Sequence, residues 1–136
     1  MVKKKRVRPH ITVQEAFCRC GCGLIQSDKT LDWVNMYIEL CGFSIPISTL
    51  ARCRNYNRKV GGVDDSPHQL IEVPGEGAGD FKARNPHKRM KMIDAAMALA
   101  HLGFINQVEC ADRHIHLAKL PDDHRLAGCF NWGKSR

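Results

Sequence analysis

Apolar positions recur at helical spacing in two stretches of the chain. In the first, Leu31, Val34, Ile38 and Cys41 lie three or four residues apart. Ser27 stands where a hydroxyl caps a helix start, Asp28 falls in the first turn, and Gly42 ends the run. In the second, Asn85 can cap, Pro86 occupies the first helical position, and Met90, Ile93, Met97 and Ala100 follow before Gly103. That stripe of aliphatic and methionine side chains predicts a core-facing surface.

Elsewhere the pattern shortens to alternation. Residues 43–49 alternate apolar and small polar positions around Pro46, which suits an edge strand. Residues 105–110, 113–118 and about 126–132 read as short strands, and 54–62 as a loop or short helical turn. Helices and strands fall into separate groups. The expectation is an α+β single domain, with helices packed on a small, mostly antiparallel sheet.

Length and composition fit that expectation. The 136 residues, 43% of them hydrophobic, supply one modest core and leave no room for a second domain. Lys and Arg outnumber Asp and Glu by 21 to 14, and part of the excess lies in Lys3-Lys4-Lys5-Arg6 and Arg8. Residues 1–12 therefore read as a basic tail, and 13–136 as the domain. Aromatic residues make up only 7% and are not interleaved with the basic run, so nucleic-acid binding is disfavoured.

Pro9 and His10 follow the basic run where a secretory signal would need an apolar stretch. No segment is long and apolar enough to span a bilayer. The expectation is a monomer made in the cytoplasm. Seven cysteines, an odd number, argue against a fully paired disulfide framework. Cys18, Cys20 and Cys22 are too close in sequence to bridge one another easily, so reduced thiols or a metal fit there, the latter with help from Cys41, Cys53, Cys110 or Cys129.

Chemistry concentrates on histidine. His114 and His116 alternate along a predicted strand and so share a face. His68, in a loop rich in Ser, Asp and Pro, and Asp80, after a glycine run, are candidate partners. Two imidazoles and one carboxylate would leave the fourth position of a tetrahedral zinc open, as catalysis requires. His10, His87, His101 and His124 read as surface residues without a role.

Several segments now align in order: Phe17-Cys18-Arg19-Cys20-Gly21-Cys22-Gly23, Ile47-Ser48-Thr49-Leu50-Ala51-Arg52-Cys53, Val60-Gly61-Gly62, Ser66-Pro67-His68, Gly75-Glu76-Gly77-Ala78-Gly79-Asp80 and His114-Ile115-His116-Leu117. Together they resemble the zinc D-Ala-D-Ala carboxypeptidase family, which includes phage L-alanyl-D-glutamate endolysins and shares its fold with the hedgehog signalling domain. The resemblance implies Zn2+ on His68, Asp80 and His116. It implies that Arg52 holds the substrate's carbonyl or carboxylate, with Ser66 near it. Peptidoglycan stem or cross-bridge peptides would be the substrates, cut at the bacterial cell wall, as by a phage or prophage lysis protein.

Two departures from the family pattern stand out. Eleven residues, Gln69 to Gly79, separate His68 from Asp80, where the family has about six, and Glu72 and Glu76 in that stretch are rival ligands. Arg113 stands where the peptidases commonly carry their acidic residue. Asp112 and His114 are then the candidate general bases, with Glu109 further along the preceding strand. A module that keeps zinc but binds cell-wall peptide or a protein partner without turnover is the alternative.

Overall fold

The computed structural model of the chain describes residues 5–72 and 76–132. Strands β1 (Arg6–Arg8) and β2 (Ile11–Thr12) form an antiparallel ribbon, followed by the short helix α1 (Val13–Ala16). Helix α2 (Asp28–Cys41) and strand β3 (Ile47–Thr49) come next. Helix α3 (Arg54–Lys59) leads to a 3-10 helix at Pro67–Glu72 and strand β4 (Gly77–Lys82). Helix α4 (Pro86–His101) and strands β5 (Gln107–Cys110), β6 (His114–Lys119) and β7 (Phe130–Trp132) complete it.

Five strands form one sheet in the order β3-β4-β6-β5-β7. Neighbours pair antiparallel except β5 with β7, which run parallel. The expected α+β class, and a mostly antiparallel sheet with β3 at its edge, therefore hold.

Local chemistry sets the helix limits. Ser27 accepts from the Thr30 amide at the start of α2, and Gly42 closes that helix at φ 81°, a left-handed conformation that glycine adopts without Cβ strain. Asn85 accepts from the amides of His87 and Lys88 ahead of α4. In α2 the expected stripe of Leu31, Val34, Ile38 and Cys41 is buried, joined by Trp33 and Tyr37.

In α4 the expected stripe is corrected. Met92, Ala95, Ala96 and Leu99 are the buried positions, Ile93 and Ala100 pack at the margin, and Met90 and Met97 are exposed. The helix carries two apolar rows offset around its axis, and spacing alone cannot rank them. Packing against α2 selects the row that includes Met92, whose carbonyl accepts from the Tyr37 hydroxyl at 3.0 Å.

The basic start is also corrected. From Arg6 onward it is built into the fold: Ile11 is fully buried, and Arg8 bonds Asp28 at 3.0 Å and Asp32 at 2.8 Å on α2. Charge density masked these pairings, since a basic run reads the same whether solvated or docked.

Alternation gives the sheet two distinct faces. Phe81, Val108, Ile115 and Leu117 join α2 and α4 in the core. Asp80, Gln107, Glu109 and His116 belong to the other face, by register and period. Gly79 lets β4 run tight, because a Cβ there would lie 2.9 Å from the Phe81 ring and 3.1 Å from Leu50.

Candidate metal centre

Asp80 on β4 and His116 on β6 are direct cross-strand partners, so their side chains leave the sheet together. His68 reaches the same point from the second position of the 3-10 helix. Asp80 spans the two imidazoles: one carboxylate oxygen lies 2.7 Å from His116 Nδ1, the other 3.0 Å from His68 Nε2. The rings stand edge to face, 5.3 Å between centroids.

The eleven intervening residues do not hold the ends apart. The 3-10 helix takes up Gln69 to Glu72 and β4 begins at Gly77, so only residues 73–76 connect the two elements. Pro74 and Gly75 fall outside the described residues, as does the side chain of Glu72. Glu76 does not join the His68, Asp80 and His116 cluster.

Each imidazole is held by its far nitrogen. His68 Nδ1 lies 3.2 Å from the Leu50 carbonyl oxygen, and His116 Nε2 lies 2.9 Å from Gln107 Oε1. Both partners are acceptors, so the far nitrogens carry protons, and the near nitrogens, which donate to Asp80 in the metal-free chain, would offer lone pairs to a cation that displaces their protons. Burial alone would raise the Asp80 carboxyl, but the charge and hydrogen bonds of His68 and His116 outweigh it and hold it well below the usual carboxylate range. The three ligand atoms lie within 4.8 Å of one another. Two imidazole nitrogens and an ionised carboxylate, with both rings oriented by a second hydrogen bond, make a donor set that fits zinc.

A cavity of about 510 Å³ opens over the histidines, with Arg52, Ser66, Gln107, Glu109 and Arg125 in its lining. Arg52 Nη2 donates to Ser66 Oγ at 3.2 Å, and Arg52 Nε is a buried donor with no hydrogen-bond partner among the described residues. Such a donor is costly unless something enters to accept from it. The residues that the resemblance implied for substrate, Arg52 and Ser66, thus share one cavity with His68 and His116.

The expected bases are not so placed. Asp112 is exposed in the β5–β6 turn, where its carbonyl accepts from Arg89, and neither it nor His114 lines the cavity. Glu109 does line it, only 7% exposed, and is the cross-strand partner of His116. The signal that could have ranked Glu109 first and found Gln107 is register: two residues apart on β5, they share the His116 face.

Comparison with curated proteins, and with solved structures, finds no match. The family model described as Peptidase M15 matches residues 8–118, which run from the last residue of β1 through all three candidate ligands to the penultimate residue of β6. This chain belongs to the peptidase M15 family, the zinc D-Ala-D-Ala carboxypeptidase type.

Proposed function

We propose that the protein hydrolyses peptidoglycan stem or cross-bridge peptides at a bond involving a D-amino acid, with zinc held by His68, Asp80 and His116. The observation that carries this reading is the grouping of that trio, whose two histidines line one cavity with Arg52, Ser66 and Glu109. Zinc in such a site supplies Lewis acidity toward an amide carbonyl and a water molecule.

The chain's own groups supply the rest. Arg52 offers its buried Nε–H to a substrate carbonyl or terminal carboxylate, while Ser66 fixes the guanidinium through Nη2. Glu109 stands on the His116 side of the cavity, as a carboxylate must to take a proton from water and return it to the leaving amine. Gln107 keeps His116 Nδ1 directed at Asp80. Arg113 at the customary acidic position then does not forbid turnover. Action at the bacterial wall, in the manner of a phage endolysin, belongs to the same proposal.

The test is digestion of peptidoglycan and isolated stem peptides by the zinc-loaded protein, with products read by mass spectrometry. Cleavage lost in His116→Ala is the expected result. Intact substrates with fully loaded protein would overturn hydrolysis, and retention of stem peptide without product would establish the binding-only alternative.

A further inference from the structure

A second cluster of metal-ligating side chains lies apart from the cavity. Cys18, Cys20 and Cys22 come from the segment after α1, and Cys53 caps the start of α3, more than 30 positions later. Their four sulfur atoms all lie within 4.8 Å of one another. Cys20 Sγ is 3.5 Å from Cys18 Sγ and 3.6 Å from Cys53 Sγ.

These spacings discriminate between the fates open to grouped thiols. A disulfide needs about 2.05 Å between sulfurs. Zinc–sulfur bonds of about 2.3 Å, arranged tetrahedrally, place sulfurs about 3.8 Å apart. The separations here are close to the second figure, and all four cysteines are free thiols.

The surrounding backbone is arranged as for thiolates. The Cys53 amide donates to Cys18 Sγ at 3.4 Å, and the Tyr56 amide donates to Cys53 Sγ at 3.3 Å. Amide hydrogens aimed at sulfur neutralise charge in metal–thiolate sites and orient the ligands. Gly21 and Gly23, at φ 81° and 87°, let the chain double back so that three cysteines in five residues face one point. The Cys18 amide closes this knuckle on the Leu24 carbonyl at 2.7 Å.

We propose that Cys18, Cys20, Cys22 and Cys53 hold a second, structural zinc ion in a closed four-thiolate site. Four protein ligands leave no open position, so the site is not catalytic. It ties the segment after α1 to the residue that directly follows Arg52, and so anchors the arginine of the cavity wall to a part of the chain some 30 positions earlier. Nothing in this assignment depends on the peptidase reading.

Native mass spectrometry of the full chain purified with zinc tests it, alongside His116→Ala, Cys20→Ser and Cys53→Ser variants. The expected metal content is two zinc ions in the parent and one in each variant. Cobalt substitution supplies a readout that does not depend on a cysteine variant folding: intense sulfur-to-cobalt charge-transfer absorption is expected in the parent and undiminished in His116→Ala. Absence of that absorption from cobalt-loaded His116→Ala overturns the site. So does a parent chain with one zinc and a mass lowered by pairs of hydrogens, the mark of disulfides.

Discussion

Glu109 and Gln107 show how much one strand register decides at the scale of a residue. Replacing Glu109 by Gln keeps its shape and removes the base, so kcat should fall about 100- to 10,000-fold while zinc content stays constant. Steady-state rates paired with metal analysis would check this, and an unimpaired Glu109→Gln enzyme would return Asp112 or His114 to consideration. Gln107→Ala should act differently, weakening zinc binding by about 10- to 100-fold through a loosened His116, as read by competition with a chelator of known affinity. The grouping of His68, Asp80 and His116 was legible in the sequence because their residue types are metal donors and their order matches a family. Gln107 was not, and Glu109 stood only as a third candidate base behind Asp112 and His114, because a glutamine or glutamate in a strand looks the same whether it faces solvent or an imidazole. Only the pairing of β5 with β6 distinguishes them.

Among the elements, legibility followed chemistry that is local. Ser27, Gly42, Asn85 and Pro86 marked the ends of α2 and α4 because caps act within a turn. Asn85→Ala should accordingly destabilise the fold by about 1 kcal/mol, lowering the melting temperature by roughly 2–8 °C. Calorimetry would show this, with peptidase activity at moderate temperature unaffected, since α4 lies on the face opposite the cavity. The rotation of α4 was not legible, because Met90 and Met97 offer the same spacing as Met92 and Leu99 and only the partner surface chooses. The β1–β2 ribbon was hidden for a related reason: its anchor, Arg8, pairs with carboxylates some 20 positions away.

The whole molecule couples metal, folding and pH. Zinc bound to the native chain alone stabilises it by about 4 kcal/mol when free metal exceeds Kd a thousandfold. Chelation should therefore lower the melting temperature and abolish cleavage, and added zinc should restore both. In the metal-free chain the Asp80 carboxyl lies below its ordinary value. Its stabilising contribution is thus fully present above the unfolded value of about 3.9, and is lost as pH falls through the lower folded value. Urea midpoints measured across the acid range should decline less steeply in Asp80→Asn than in the parent.

The parallel pairing of β7 with β5 has a consequence for the order in which the protein is made. Asp80 and His116 meet once β6 has emerged from the ribosome, and His68 precedes both. Arg125 and Leu126, which line the cavity, lie on the connection that carries the chain back to β7. A nascent chain is therefore expected to possess its metal ligands before it possesses the cleft that shapes a substrate around them.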